Sequence, residues 1–118
     1  MSYRRFDVIL VLFPFSERRG TKQRPAIVLS GDAFNAAHRH SIVAMVTTAS
    51  ITRWPSDMPI RDYSKAGLRS PCVARAKVVT ISDDLVIGRI GTLVLEDAGG
   101  VGTWFAGLLM DSNRPQAG

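Results

Sequence analysis

Residues 7–30, DVILVLFPFSERRGTKQRPAIVLS, decide the fold. The first seven are a continuous apolar, β-branched run that a proline ends, which predicts a buried strand. The polar, glycine-containing residues 16–22 predict an exposed loop. Residues 26–30 predict a second strand, and Pro25, which lacks an amide hydrogen, is expected at its start or on a sheet edge. The stretch therefore predicts two strands joined by a basic loop.

Further strands are predicted along the rest of the chain. Residues 41–47 and 72–81 are rich in β-branched side chains, a short strand is expected near 58–60, and a last one near 93–95. No repeat or domain boundary interrupts the pattern. We therefore expect one mainly β domain over residues 1–118, built on a small, strongly bent antiparallel sheet or barrel with two or three short helices.

The predicted helices are short and are marked by capping residues and apolar spacing. Asp32 is expected to be the N-cap of one or two helical turns, and Ser82 begins the signature of another short helix. Near the C-terminus, apolar residues recur at i, i+3, i+4, i+7 and i+8, which predicts a one-sided helix packed on the core. These residues are Val101, Trp104, Phe105, Leu108 and Leu109. The tail, 112–118, is expected to be frayed.

Composition limits the class of protein. At 118 residues and 46% hydrophobic content, the chain is long and apolar enough for one core, so disorder as the main state is excluded. Cys72 is the only cysteine, which excludes an internal disulfide and fits a reducing cytoplasm. No apolar run approaches about 18 residues, so no membrane helix is expected. We expect a cytoplasmic protein.

The charge is strongly basic, because 15 Lys and Arg residues stand against 10 Asp and Glu, and the sequence pI is near 10.1. Twelve of the fifteen cations are arginines, whose planar guanidinium groups match phosphate geometry. This excess indicates an anionic partner, with nucleic acid first. A high-GC genome that encodes Arg in place of Lys explains the same composition, and both interpretations stay open.

Several kinds of chemistry lack the residues they need. His38, His40 and Cys72 are the only imidazole or thiol ligands, and a catalytic metal site normally needs a third ligand beside the two histidines. No P-loop, GxGxxG after a strand, or GxSxG motif is present. Cys72 lies in an apolar strand, which favours a buried, inert thiol. We therefore predict neither a metal nor a cofactor.

Arginines, hydroxyls and two histidines remain, and this set suits RNA cleavage by the 2′-hydroxyl of the substrate. The RNA then supplies the attacking oxygen, so the protein needs only to position the phosphate, stabilise its developing charge and transfer protons.

Four blocks together resemble one known family. They are residues 6–30, 42–50 (IVAMVTTAS), 67–81 (GLRSPCVARAKVVTI) and 87–93 (IGRIGTL), and in this order they resemble the MazF/PemK toxin–antitoxin endoribonucleases. The resemblance implies a homodimer of SH3-like barrels of the PemK/CcdB type with a C-terminal helix. It also implies metal-independent cleavage of single-stranded RNA to 2′,3′-cyclic phosphate and 5′-hydroxyl ends, and therefore growth inhibition. A cognate antitoxin, whose complex with the toxin binds DNA, would lie across the RNA groove.

The resemblance assigns two catalytic residues. The arginine of the family's RP motif is Arg24, and the hydroxyl residue that ends the next strand is Thr47. Thr48 and Ser50 remain alternatives for that hydroxyl. RNA contacts are expected from a wider set: Arg18, Arg19, Lys22, Thr48, Trp54, Arg69, Arg75 and Lys77. Trp54 is expected either to stack a base or to seal its loop onto the core.

The chain also departs from the family pattern. Phe6 stands where many members have glycine, and Lys77 stands where some have an aspartate paired with the arginine at position 75. The general base is therefore open, because an arginine stays protonated. His38 and His40 are the only side chains that titrate near neutrality, so they are the candidates for proton transfer.

Two other functions remain possible from the sequence. One is a CcdB-like toxin that binds gyrase without cutting RNA, and the other is an inactive family member that binds RNA or an antitoxin. The expected partners of the leading hypothesis are single-stranded RNA, a second copy of the chain, and an antitoxin whose acidity would complement the net charge of +5.

Overall fold

The computed structural model describes residues 2–13, 22–50 and 53–110. Six strands form in this order: β1 Asp7–Phe13, β2 Lys22–Val28, β3 His40–Thr48, β4 Met58–Pro59, β5 Cys72–Ser82 and β6 Val86–Thr92. Two α-helices, α1 Asp32–His38 and α2 Leu95–Leu109, and a 3₁₀ turn at Asp83–Leu85 complete the fold. The expected mainly β architecture with a C-terminal helix is confirmed. The expected frayed tail, 112–118, lies outside the described residues.

The six strands form one antiparallel sheet in the order β4-β5-β3-β2-β1-β6. The pairing of β3 with β5 is the longest, and it is interrupted by a bulge between Ala44 and Met45. The pairing of β1 with β6 contains two more irregularities. Bulges increase the local twist and bend a sheet, which fits the strongly bent sheet expected from the sequence. No described helix is long and apolar enough to cross a membrane.

Side chains alternate between the two faces of the sheet and fill two hydrophobic clusters. The helix-side cluster contains Val8, Ile27, Ala44, Val46 and Ala74 from the strands together with Ala98 and Val101 from α2. The opposite cluster contains Ile9, Val11, Phe13, Ala26, Val28, Val43 and Ile81. Because both faces of the sheet carry a core, side chains of β1 that point to either face are apolar. This explains the near-continuous apolar run from which the burial of β1 was predicted.

The C-terminal helix packs on the sheet over only part of its length. Val101 is fully buried, and Trp104 and Phe105 are partly buried against the helix-side cluster. Leu108 and Leu109 were expected to continue this buried face, but they are exposed, Leu109 to 70%. The prediction was wrong for the last turn, because the buried residues of α2, Asp97, Ala98 and Val101, all lie in its first two turns.

Two local predictions were also wrong. Gly31, not Asp32, is the N-cap of α1, and the Asp32 carboxylate instead accepts a hydrogen bond from the Arg5 amide at 3.0 Å. The last strand was expected near 93–95 but ends at Thr92. Leu95 already begins α2, so the apolar residues there belong to the strand–helix junction.

Strand β2 begins earlier than expected and includes Pro25. Its pairing with β3 starts only at Ala26, whereas Pro25 is paired with Leu10 of β1. The proline therefore lies where the β3 side of the strand is unpaired, and its missing amide hydrogen interrupts no ladder there.

Candidate active site

Arg24 and Thr47 lie on the same face of the sheet, on neighbouring strands. The register pairs Ala26 of β2 with Met45 of β3, and two further steps along both strands place Arg24 opposite Thr47. Directly opposed residues of an antiparallel pair point to the same side. This face is that of the opposite cluster, where Arg24 also faces Val11 of β1.

The Arg24 guanidinium has no polar partner among residues 2–13, 22–50 and 53–110. The residue is half-buried, and its side chain makes no hydrogen bond or ion pair with the described part of the chain. The adjoining strand positions on this face are apolar: Val11, Ala26, Met45 and Val73. A cation beside such a surface, with a hydroxyl on the next strand, is suited to hold one phosphate group.

The structure separates Thr47 from the two alternative hydroxyls. Thr47 is opposite Val73 of β5, whereas Thr48 is opposite Cys72, whose side chain belongs to the helix-side cluster. Thr48 therefore points to the other face of the sheet from Arg24. Ser50 lies beyond the end of β3 and is exposed. Of the three, Thr47 is the one that shares a face with Arg24 on the neighbouring strand.

A second group of charged and aromatic side chains lies on the same side of β5. Arg75, opposite Met45, binds Asp57 through two hydrogen bonds, Nε to Oδ1 at 3.0 Å and Nη2 to Oδ2 at 2.8 Å. The Arg75 guanidinium also lies over the Trp54 ring, 5.0 Å from its centroid. The backbone amide of Trp54 donates to Asp57 Oδ2 at 3.0 Å. One carboxylate thus holds both partners.

The Asp57–Arg75 ion pair shifts both acid–base equilibria. Hydrogen bonding from Arg75 holds the pKa of Asp57 below its ordinary value of 3.8, although burial opposes this effect. The same bond raises the pKa of Arg75. Because its oxygens accept three hydrogen bonds and its side chain is only 4% exposed, Asp57 is a fixed counterion rather than a free base.

Asp57 is not among the site residues predicted from the sequence. Some members of the resembled family have an aspartate two residues after this arginine, where this chain has Lys77, and here the carboxylate that binds Arg75 comes from 18 residues earlier in the chain. The bulge in β5 leaves Ala76 and Lys77 without partners on β3, and Lys77 is exposed. The only sequence feature that could have indicated Asp57 was its position in a proline-containing loop. An aspartate in such a loop is most often an ordinary surface residue, so the feature did not single it out.

An open cleft of about 360 Å³ adjoins this group. Its lining consists of Arg53, Trp54, Pro55, Asp57, Pro59 and Val73. Val73 joins the cleft to the catalytic candidates, because it is opposite Thr47 on one side and Pro59 on the other. Trp104 of α2 donates from Nε1 to the Ser56 carbonyl at 2.6 Å. The cleft wall is therefore attached to both the sheet and the helix.

The other predicted cations lie at varied distances from this centre. Lys22 is exposed on β2, two residues before Arg24 and on its face. Arg69 is exposed in the turn before β5, and the Ala49 amide donates to the Pro71 carbonyl beside it at 3.0 Å. Arg18 and Arg19 lie outside the described residues.

The histidines are not brought to the site. His38 ends α1, and His40 begins β3 at the end opposite to Thr47. Thr47 is seven residue steps along the extended strand from His40, which is about 23 Å at 3.3 Å per residue. Within one chain, neither imidazole therefore lies beside the Arg24–Thr47 pair.

Neither a metal cluster nor a reactive thiol is visible in the described residues. Across residues 2–13, 22–50 and 53–110, no three His, Cys, Asp or Glu side chains form a group that could hold a metal ion. The Cys72 thiol is buried, and desolvation raises its pKa above 9.0. This environment fits the inert thiol expected from the sequence.

Comparison with known proteins gives one family match. Residues 4–106 match the family described as the PemK-like, MazF-like toxin of type II toxin–antitoxin systems. No curated protein sequence matches the chain.

Solved structures with the same fold are similar over almost the whole chain. An endoribonuclease in complex with its cognate antitoxin from a mycobacterial species has 15% identity and a TM-score of 0.70, covering 92% of this chain and 93% of that one. Form I of MazF from Deinococcus radiodurans has 16% identity and a TM-score of 0.72, with 92% and 97% covered. Mycobacterium tuberculosis toxin MazF-mt6 has 21% identity and a TM-score of 0.63, with 85% and 96% covered. At these identities the likeness shows a shared fold.

Proposed function

Because this chain belongs to the family of PemK-like, MazF-like toxins of type II toxin–antitoxin systems, we propose that it is an endoribonuclease that cuts single-stranded RNA in the cytoplasm and thereby inhibits growth. In the proposed reaction, the 2′-oxygen bonds to the adjacent phosphorus while the bond from phosphorus to the 5′-oxygen breaks. The products are a 2′,3′-cyclic phosphate and a 5′-hydroxyl. No metal or cofactor takes part.

The observation that carries this proposal is that Arg24 and Thr47 share one face of the sheet, each two residues beyond the last β2–β3 pair, Ala26 and Met45. Arg24 binds the scissile phosphate and stabilises the negative charge that grows on its oxygens in the transition state. Thr47 fixes the 2′-hydroxyl or a phosphate oxygen in line for attack. The apolar neighbours of the pair reduce local hydration, which strengthens both contacts.

Proton transfer is assigned to water in this proposal. The strand positions directly beside Arg24 and Thr47 on their face, Val11, Ala26, Met45 and Val73, are apolar. The Asp57 oxygens are already occupied by donors, and the histidines lie at the other end of β3. The proton of the 2′-hydroxyl leaves to solvent, and the departing 5′-oxygen takes one from solvent. The rate would then show no step near the pKa of histidine.

Three partners complete the proposal. The first is RNA, contacted by exposed cations beside the site such as Lys22 and Arg69. The second is an acidic antitoxin that covers the same surface, for which the net charge of +5 provides complementarity. The third is a second copy of the chain, supported by the exposed apolar end of α2 at Leu108, Leu109 and Met110.

The test is incubation of a long mixed-sequence RNA with the purified protein in EDTA, beside the Arg24→Ala variant. Mass spectrometry of the product ends should show 2′,3′-cyclic phosphate at discrete sites for the wild-type protein only. Intact RNA with a folded, antitoxin-free protein would contradict the proposal. Gyrase inhibition measured on the same sample would then favour a gyrase-binding toxin, and RNA or antitoxin binding without cleavage would favour an inactive family member.

A further inference from the structure

The side of the sheet that carries Arg24 and Thr47 also carries an aromatic ring held in place by an ion pair. Trp54 is 41% exposed, lines the cleft, and is covered by the Arg75 guanidinium at 5.0 Å. Removing the apolar surface of an exposed aromatic ring from water is favourable. The bases of single-stranded nucleic acids cover such rings by stacking on them.

Asp57 fixes the ring through two separate contacts. Its carboxylate accepts the Trp54 backbone amide and binds Arg75 through two parallel hydrogen bonds. The Asp57 amide in turn donates to the Trp54 carbonyl at 3.0 Å, which closes a tight turn. A bidentate guanidinium–carboxylate pair has defined planar geometry, so it sets the orientation of the group stacked on the indole.

The chemistry of the cleft points to stacking rather than to reading of base edges. Pro55, Pro59 and Val73 are apolar, and the Asp57 oxygens are already occupied by donors. Arg53 donates from Nε to the Ala49 carbonyl at 3.3 Å. A flat, unpaired ring can lie in such a cleft without displacing a donor from the Asp57 oxygens.

We propose that Trp54, Arg75 and Asp57 form a base-stacking clamp in which Trp54 stacks one unpaired base of the substrate, Arg75 supports the indole, and Asp57 is the positioning residue for both. The clamp lies one strand away from Thr47, through Val73, and so holds a nucleotide next to the scissile phosphate. This inference rests on the proposed function. It assigns Arg75 to the support of Trp54 instead of to direct contact with phosphate.

The test uses an oligothymidylate of roughly ten nucleotides, which has bases but no 2′-hydroxyl and therefore stays intact. Trp54→Ala should raise the Kd for this oligothymidylate by roughly 5- to 150-fold, which is the loss of affinity expected for one stacked base. Asp57→Asn should weaken binding in the same direction. Binding should quench tryptophan fluorescence in the wild-type protein, less in Asp57→Asn, and hardly in Trp54→Ala, which retains only Trp104.

Salt dependence separates support of the ring from contact with phosphate. A lost phosphate contact lowers the slope of log Kd against log salt by about 0.7 on a single strand, whereas lost stacking leaves the slope unchanged. We expect an unchanged slope for Trp54→Ala and Asp57→Asn. If Asp57→Asn instead tightens binding and steepens the slope, Arg75 binds phosphate when released, and the clamp is wrong.

Matched controls exist for both variants. Phe34→Ala removes an aromatic ring of similar exposure on α1, and Asp62→Asn removes an acid from an exposed pair with Lys65. Neither should change Kd. Because Trp54 is on the surface, Trp54→Ala tests the clamp even if Asp57→Asn does not fold.

RNA cleavage measured in parallel distinguishes failure of the clamp from failure of the proposed function. Cleavage of RNA with equal oligothymidylate affinity in the wild-type and Trp54→Ala proteins overturns the clamp alone. Cleavage by a wild-type protein that does not bind oligothymidylate also overturns it, because stacking does not need a 2′-hydroxyl. A protein that neither cuts nor binds single strands overturns both proposals.

Discussion

Arg24 and Thr47 are 23 positions apart in the chain, yet the register of β2 and β3 places them opposite each other on one face of the sheet. The pair lies where the β2–β3 ladder has opened, two steps beyond Ala26 and Met45. A phosphate held there meets a guanidinium from one strand and a hydroxyl from the next. The arrangement leads to predictions that distinguish neighbouring residues on the same strand.

The two threonines at the end of β3 should differ in function. Thr47→Val should lower kcat/KM for RNA cleavage by about 10- to 150-fold, the value of one hydrogen bond to a charged group. Thr48→Val should leave it within about twofold, because Thr48 is opposite Cys72 on the other face. Single-turnover cleavage of a short RNA measures both. Equal losses would show that the face assignment does not govern activity.

Loss of the Arg24 side chain should have a larger effect. Arg24→Ala should reduce kcat by about 10²- to 10³-fold, the range for removal of one transition-state charge donor. Arg24→Lys should recover only part of the lost kcat, because an ammonium group cannot form the paired, planar hydrogen bonds of a guanidinium. Neither should change the melting temperature much, since Arg24 makes no contact with the described residues through its polar atoms. A large drop in melting temperature would instead indicate a structural role.

The Asp57–Arg75 pair should make stability depend on pH in acid. The folded pKa of Asp57 is lowered, so its stabilisation is present above the ordinary value of 3.8 and is lost as the pH falls through the folded pKa. Urea unfolding should show Asp57→Asn less stable by about 1.5–3 kcal/mol at pH 7, with the difference shrinking below about pH 4. Asp62→Asn, in an exposed pair, should differ by less than about 1 kcal/mol throughout. A difference for Asp57→Asn that does not change with pH would contradict the ion-pair origin.

Phe6 should reveal a backbone cost at the start of β1. Its φ is 70°, a left-handed conformation that favours glycine, while its ring packs on the helix-side cluster. The backbone is held by hydrogen bonds from the Phe6 amide to Val28 and from the Leu93 amide to Phe6. Phe6→Ala should destabilise by about 2 kcal/mol through lost packing, and Phe6→Gly should be about 1 kcal/mol more stable than Phe6→Ala.

The control for Phe6 is the helix residue Ala33. There Ala→Gly should destabilise by about 1 kcal/mol, the opposite direction, because φ is helical. Thermal or urea unfolding of all three variants is sufficient. If Phe6→Gly is less stable than Phe6→Ala, the left-handed backbone is not a cost in this protein.

The exposed end of α2 should control self-association. Leu109 is 70% exposed, and burial of one leucine is worth about 1.5–3 kcal/mol. Leu109→Asp should therefore weaken a dimer by more than about tenfold, as measured by sedimentation across protein concentrations. Leu95→Asp, at the other end of the helix, should not. A wild-type protein that is monomeric at all concentrations would remove the second copy from the proposal.

Much of this architecture follows from local patterns. The apolar run at residues 7–13 and the β-branched run at 72–81 became β1 and β5, because β-branched side chains favour the extended backbone of a strand. Ser82 caps the 3₁₀ turn as expected, with its hydroxyl accepting from the Asp84 amide at 3.3 Å. The φ of Phe6, 70°, is in the left-handed region that favours glycine, and the sequence did not reveal it.

By itself, the sequence determined the mainly β class and the position of most strands, and its resemblance to a known family singled out Arg24 and Thr47 as catalytic candidates. Only the tertiary structure decided that Thr47 and not Thr48 shares the face of Arg24, that Asp57 partners Arg75, and that the end of α2 stays exposed. Strand formation depends on neighbours in the chain, whereas facing, ion pairing and burial depend on register and on contacts between distant segments. A one-residue shift of register would reverse every side chain of a strand, and a local sequence pattern does not contain that information.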